Sequence, residues 1–360
     1  MSNPDLNERL NEYLAKTTPG IQYIVTNDHN TLFEFADGWA DIQRKIKMKP
    51  GTTLMAYSMT KTFTALALLQ LAGQKRIDLD HPIRKYLPNC PYPGDITIRQ
   101  AICHTAGIPN PIPLKWVHSA ETHDTFDEHL ALAKILEKHP ENSSKPGTKF
   151  AYSNIGYWLL GMIVEEVTKQ SFTGYVNNQI IKSLNLSSQE LGFQISDFAN
   201  HAKGYLGKYS IMNLARNLIT DKEIWGGYEG NWHLIRNFYV NGAAFGGLVG
   251  SARAFIRFLQ DQLRESSRLL DPASRELFYT QQQTSSGVMI AMTLGWHIGS
   301  LKGMKYFFKE GGGGGFHSEM RIYPTMKLAS VIMVNSTEFN SNNSLSVLDE
   351  AFFKSSSLIK

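Results

Sequence analysis

Strand-forming runs stand near both ends of this 360-residue chain and give way to helical patterns between them. A single sheet can therefore form only if the two ends of the chain meet. Residues 21–26 (IQYIVT) and 31–37 (TLFEFAD) are rich in β-branched and aromatic side chains and are separated by the turn-forming NDHN, which reads as a β-hairpin. Strand-like segments return late in the chain as TLGWHIG, MKYFFK, HSEMRIY and LASVIMVN. Helical periodicity surrounds them. Leu6, Leu10 and Leu14 lie four apart and predict an amphipathic helix over 4–16, residues 249–264 predict another, and a last one falls near 344–354. From Ser58 to Leu71 the chain is apolar on nearly every side and rich in Ala and Leu, ending near Gly73, so this helix should be central. Between 78 and 247 the periodic stretches, such as DEHLALAKILEKH and IGYWLLGMIVEEVTK, are helical, and no strand is expected there. The expected architecture is α/β (α+β): a helix-covered sheet domain from residues 1–77 and 248–360, with a mostly helical domain, 78–247, inserted.

With 42% hydrophobic residues the chain has enough apolar material for a sizeable core. Lys and Arg number 36 against 32 Asp and Glu, and these charges are scattered, without the dense basic stripe that nucleic-acid binding needs. No nucleic-acid partner is expected. The most apolar segment, 66–72, is interrupted by Gln70 and falls well short of the roughly 20 residues that cross a bilayer, so no membrane span is expected either. The N-terminal MSNPDLNERLNEYL lacks the apolar core of an export signal, which points to a cytoplasmic protein. Cys90 and Cys103 match no zinc spacing and read as core thiols. His118, His123 and His129 lie in one helix-like stretch at spacings that put them on different faces, so no metal site is expected.

Three short segments can carry chemistry. Ser58 and Lys61, at the head of the apolar helix, are three apart and share a face, so the amine can take the hydroxyl proton as the oxygen attacks. The same S-x-x-K spacing at Ser357 and Lys360 sits at a fraying terminus. Burial by the apolar helix would lower the amine's pKa, the direction a base needs at neutral pH. Tyr152-Ser153-Asn154 lies in a loop before the IGYWLLG helix; Y-x-N recurs at Tyr175, inside a helical pattern, and at Tyr239. Lys309-Glu310-Gly311 ends a strand-like run and opens into the glycines 311–315, read either as a flexible linker or as a tight connection with backbone exposed beside a ligand.

Together these segments resemble the serine β-lactamases and penicillin-binding DD-peptidases, with S-x-x-K, then Tyr-x-Asn, then a lysine-led third element. The likeness is closest to class C β-lactamases and the carboxylesterases of the same fold. The order is right, Tyr152 follows Ser58 by 94 residues, and Lys309 follows Tyr152 by 157. HTAGIP at 104–109 and PGTKFAYSN at 146–154 extend the resemblance over most of residues 20–335.

The resemblance implies a β-lactamase/transpeptidase-like fold with an antiparallel sheet, and a serine hydrolase without metal or organic cofactor. It implies that Ser58 forms an acyl-enzyme and that Lys61 and Tyr152 are the acid/base groups, with the choice of base between them open. Asn154 would bond Lys61 or a substrate carbonyl, and Lys309 would add positive charge beside Tyr152. The backbone N–H groups of Ser58 and Gly312 would form the oxyanion hole. Glu310, next to Gly311 in the substrate-binding strand, replaces the Thr or Ser that helps hold a substrate carboxylate in the family. A carboxylate there repels another, so small uncharged esters or amides are the expected substrates. The rivals are a true β-lactamase or D-aminoacyl peptidase, and a catalytically silent binding protein that keeps the fold. His317 is expected beside the site, and His104 is expected to pack and hydrogen-bond in the HTAG turn. Tyr228, Trp232, Phe238, Tyr239 and Phe245 could equally line an acyl or alcohol pocket or pack in the core.

Overall fold

The computed structural model describes residues 4–113, 115–213, 222–356 and 358. The two ends of the chain do meet. Seven antiparallel strands form the main sheet, and its interior strand β1 (Gly20–Thr26) is buried at all seven positions. On one side β1 pairs with β2 (Thr31–Asp41), which pairs with β3 (Ile46–Lys47). On the other side it pairs with a strand more than 300 residues away, Leu328–Val334, in register Ile21 to Val334.

Side chains alternate across a strand, so β1 and its distant partner feed two cores. Tyr23, Val25, Ile332 and Val334 pack with Leu6, Leu10, Leu345 and Phe352 beneath the first helix, α1 (Pro4–Lys16), and the last, Ser341–Ser355. Ile24, Val331 and Met333 face the larger core, which contains Phe63, Phe255 and Phe258. Phe63 belongs to α2 (Thr60–Gly73), which is buried at eleven positions, seven of them apolar. Full burial of each large aliphatic or aromatic side chain contributes about 1.5–3 kcal/mol, so this helix anchors whatever is attached to its head. Cys90 and Cys103 are buried free thiols.

The middle of the chain departs from the sequence expectation. Between β4 (Leu54–Met55) and the end of the helical region lie β5 (Val117–Ser119), β6 (Leu191–Gly192), β7 (Gly204–Gly207), β8 (Trp225–Glu229), β9 (Trp232–Ile235) and β10 (Phe238–Val240). Each is two to five residues long, too short to show a period, and β8 to β9 is a hairpin turned by Gly230 at φ +66. The expected helices are present around them: α3 (Ile98–Ile102), α4 (Glu128–Lys138), α5 (Asn154–Thr168) and α6 (Phe172–Val176). A short α7 (Ala243–Gly246) and β11 (Val249–Gly250) lead into α8 (Ala252–Leu263) and α9 (Pro272–Tyr279). Then β12 (His297–Leu301), β13 (Met304–Gly313), β14 (Phe316–Tyr323) and β15, the Leu328–Val334 strand, complete the sheet, and α10 is the Ser341–Ser355 helix.

His118 is not in a helix. It lies on β5, His123 in the following 3₁₀ turn and His129 on α4, so the helical-face argument does not apply to them. His118 Nε2 lies 2.9 Å from His123 Nδ1, whereas His129 reaches Glu165. Among the described residues no helix is long and apolar enough to cross a membrane.

Candidate active site

Ser58 sits in a single 3₁₀ turn, Tyr57–Met59, that leads into α2. The residue before it, Tyr57, is held at φ +44, a conformation costly for a bulky side chain and tolerated here because the ring is buried and its hydroxyl donates to Gly314 O at 2.5 Å. The turn is pressed against β13. A Cβ on Gly311 would stand 2.0 Å from Ala56 O, so only glycine lets the strand run this close to the nucleophile's backbone. The glycine run is therefore strand and tight turn, not a linker: 311–313 belong to β13, and Gly315 turns at φ +86.

Three chain segments converge on Ser58. Lys61 Nζ lies 3.0 Å from Ser58 Oγ and donates to Asn154 Oδ1 and to the Phe245 carbonyl, both at 2.7 Å. Lys61 is fully buried and has no carboxylate partner among the described residues, and that burial, reinforced by the charge of Lys309, pushes its pKa well below the ordinary lysine value. The Tyr152 hydroxyl donates to Ser58 Oγ at 2.8 Å. Burial raises the Tyr152 pKa, outweighing the bond to Ser58, so the phenol keeps its proton. Asn154 is not the helix cap: Ser153 takes that role, its Oγ accepting from Gly156 N at 2.9 Å, and this leaves the Asn154 amide for the lysine.

Behind Tyr152 lies His104, buried, its ring 4.3 Å from the phenol and its Nδ1 accepting from Ser153 N. Burial, then Lys309 and Lys61, hold His104 well below the usual imidazole range. It braces the loop, as its place in the HTAG turn suggested. Lys309 Nζ lies 5.5 Å from the centre of the Tyr152 ring and 3.3 Å from His297 Nε2. Its burial brings its pKa down to about 7. His297 was not singled out in the sequence.

Glu310 follows Lys309 on the strand and so leaves it on the other face. Its Oε1 lies 2.8 Å from His317 Nε2 and accepts from Ser341 Oγ at 3.1 Å. The hydrogen bond from His317 is the main cause holding its carboxyl below the usual range. His317 thus stands beside the site, occupied by Glu310. Ser341 was not foreseen.

Two cavities flank Ser58. The larger, about 540 Å³, is walled by Trp116, Trp225, Ile235, Phe238 and Phe245 and reaches Asn154 and Gly312. The smaller, about 330 Å³, is lined by Ser58, Tyr152, His297, Phe308, Glu310 and Gly312. Phe238 and Phe245 of the suggested aromatic group line the larger cavity. Tyr228 and Tyr239 pack elsewhere, against His233 and His123, and Trp232 lines neither cavity. The other Y-x-N motifs stay away from Ser58: the Tyr175 hydroxyl bonds Gln70, and that of Tyr239 accepts from Ile195 N. Ser357 and Lys360 lie outside the described residues.

A family model described as Beta-lactamase matches residues 6–347. Among curated proteins, Protein flp of Staphylococcus aureus (strain COL) is 33% identical over 174 residues, 47% of this chain and 34% of that protein. Penicillin-binding protein 4* of Bacillus subtilis (strain 168) is 22% identical over 295 residues, 81% of this chain and 62% of that one. The aligned part is thus about a third of the length of flp. Among solved structures, the octameric penicillin-binding protein homologue of Pyrococcus abyssi superposes with TM-score 0.77 at 22% identity, covering 99% of this chain and 77% of that one. D-amino acid amidase of Ochrobactrum anthropi SV3 superposes with TM-score 0.81 at 20% identity, covering 98% and 99%. These likenesses carry the fold.

Proposed function

The chain belongs to the β-lactamase family, and from that premise we propose that it is a serine hydrolase acting through an acyl-enzyme on Ser58, with small esters or amides that have an apolar acyl group as substrates. The observation that carries this reading is the position of Ser58 Oγ, 3.0 Å from a desolvated amine and 2.8 Å from a phenol, at the junction of two cavities.

Lys61, as a neutral amine, takes the Ser58 proton while Oγ attacks the carbonyl carbon. The carbonyl oxygen becomes an oxyanion facing the backbone N–H groups assigned to the oxyanion hole, those of Ser58 and Gly312. As the tetrahedral intermediate collapses, the Tyr152 hydroxyl gives its proton to the departing oxygen or nitrogen and recovers one from the Lys61 ammonium. In the second half a water passes a proton to the same pair and attacks the acyl carbon; Ser58 Oγ leaves and regains its hydrogen. Lys61 is assigned as base because burial lowers its pKa and raises that of Tyr152. The anionic Glu310 disfavours lactams and peptides that would place a carboxylate there.

Short-chain p-nitrophenyl esters should be turned over faster than a chromogenic cephalosporin. A fluorophosphonate probe should add once, on the peptide carrying Ser58, as read by intact mass and peptide mapping. Rapid lactam turnover with negligible esterase activity would move the protein to the lactamase or peptidase reading, and no adduct with no turnover would favour a silent binding protein.

The base assignment fixes the sign of the pH dependence. An amine acts as base only when unprotonated, and burial holds both Lys61 and Lys309 below the ordinary value of 10.5. With a neutral ester, kcat/KM should therefore rise with pH and level off well below 10.5. An ascending limb centred at 10 or above would remove Lys61 as the base.

A further inference from the structure

We propose that the group leaving from the acyl-enzyme carries a positive charge, received by Glu310. This rests on the serine-hydrolase reading and adds to it the direction in which a substrate lies and the charge of one of its halves.

The direction follows from the proton donor. Tyr152 lines the smaller cavity and not the larger, while Asn154 lines the larger and not the smaller. A phenol that protonates the departing atom has to stand on the side where that atom departs. The leaving group therefore lies in the smaller cavity, and the acyl group extends across Ser58 into the larger one, whose aromatic and aliphatic walls suit an apolar chain or ring.

Among the described residues lining the smaller cavity, Glu310 is the one acid and there is no lysine or arginine. Its two oxygens are unequal. Oε1 is fixed between His317 and Ser341, and among the described residues Oε2 receives no hydrogen bond. The side chain is 41% exposed and lines the cavity. Two rings stand with it, Phe308 and His297, 5.2 Å apart. A carboxylate held in place by one oxygen, free at the other and flanked by aromatic surface is the arrangement that receives an ammonium group: the anion supplies the charge, and the rings accept the substituents on nitrogen. The nearby basic groups leave Oε2 unpaired among the described residues: Arg321 is fully buried in bonds to Glu319 and Asn342, His317 engages Oε1, and Lys309 stands behind His297, its Nζ 3.3 Å from His297 Nε2 and outside the lining of the cavity. The chemical class is thus an apolar acyl ester or amide of an alcohol or amine that also bears a cationic nitrogen group.

Three aryl butyrates with one acyl group test this: the 3-(trimethylammonio)phenyl, 3-tert-butylphenyl and 3-carboxyphenyl esters, each rate divided by its rate of alkaline hydrolysis. The cationic ester should exceed its neutral isostere in kcat/KM by about tenfold or more, and the anionic ester should fall below it by a similar factor. In Glu310→Gln the cationic-to-neutral ratio should drop to within about twofold. Because Glu310 also braces His317 and Ser341, a second measurement uses the unaltered protein: 3-(trimethylammonio)phenol should inhibit competitively about tenfold more strongly than 3-tert-butylphenol. Equal rates for the cationic and neutral esters, or equal inhibition by the two phenols, overturns the inference and leaves the hydrolase reading intact. Absence of turnover for all three esters together with absence of labelling at Ser58 removes the hydrolase reading, and the inference with it.

Discussion

Ser58→Ala should lower kcat/KM for a neutral ester by at least about 10⁴-fold and abolish fluorophosphonate labelling, while the protein stays folded. The size follows from the mechanism. Without Oγ there is no covalent route, and what remains is the modest acceleration from carbonyl polarisation and substrate binding. Retention of the fold follows from the surroundings. Ser58 is only part-buried, alanine fits a 3₁₀ turn, and Lys61 keeps its two bonds to Asn154 and the Phe245 carbonyl. Far-UV circular dichroism and the thermal midpoint should match the parent protein. An alanine variant that hydrolyses the ester at the parental rate would place the chemistry elsewhere.

The second large effect concerns stability. Arg321→Ala should cost about 3–5 kcal/mol, because it leaves two buried acids without their cation. Arg321 is completely buried and donates to Glu319 Oε1 at 2.6 Å, Ser346 Oγ at 3.0 Å and Asn342 O at 2.7 Å. Its Nη1 lies 3.8 Å from Asp349 Oδ2. Asp349 is further held by the hydroxyls of Tyr23, Tyr323 and Ser330. Even with the arginine present, burial raises the pKa of Asp349 and brings that of Glu319 up to about 7.

The sign with pH follows. An acid whose folded pKa exceeds its unfolded value binds more protons when folded, so lowering pH toward the unfolded value favours the folded state. Removing Arg321 raises both folded values further, so the variant's deficit should be greatest near pH 8 and shrink toward pH 5. Urea unfolding at the two pH values measures it. A deficit independent of pH would mean that the loss is packing against Tyr306, whose ring centre lies 4.4 Å from the guanidinium carbon. The cluster also supports the site, since Ser341 Oγ lies between Glu319 and Glu310.

Much of this molecule was legible in consecutive residues. The hairpin at 21–37, the central helix after Ser58 and the late strands follow from runs of β-branched and aromatic residues or of Ala and Leu bounded by turn formers, which are properties of neighbours in the chain. Ser58 and Lys61 could be paired because one helical turn joins them. His297 was within reach of the same method. The two-residue turn Lys302-Gly303 sets Leu301 opposite Met304, and counting back along the hairpin places His297 opposite Phe308, next to Lys309. The mid-chain strands were not legible, because two to five residues contain no period.

Local pattern thus gave the strands at both ends, the buried helix and the order of the three motifs. Packing settled what those motifs can do. Whether Tyr152 meets Ser58, whether Lys61 is stripped of water, and whether Glu310 is paired with His317 depend on contacts between residues 7 to 184 positions apart and on the walls around them. Distance and burial of this kind come from how elements lie against one another, and no run of adjacent side chains encodes them. A single substitution in a motif, Glu310, could be read from its type. That it shares a cavity with Tyr152 while one of its oxygens is held by His317 emerged only when strand, helix and loop were folded together.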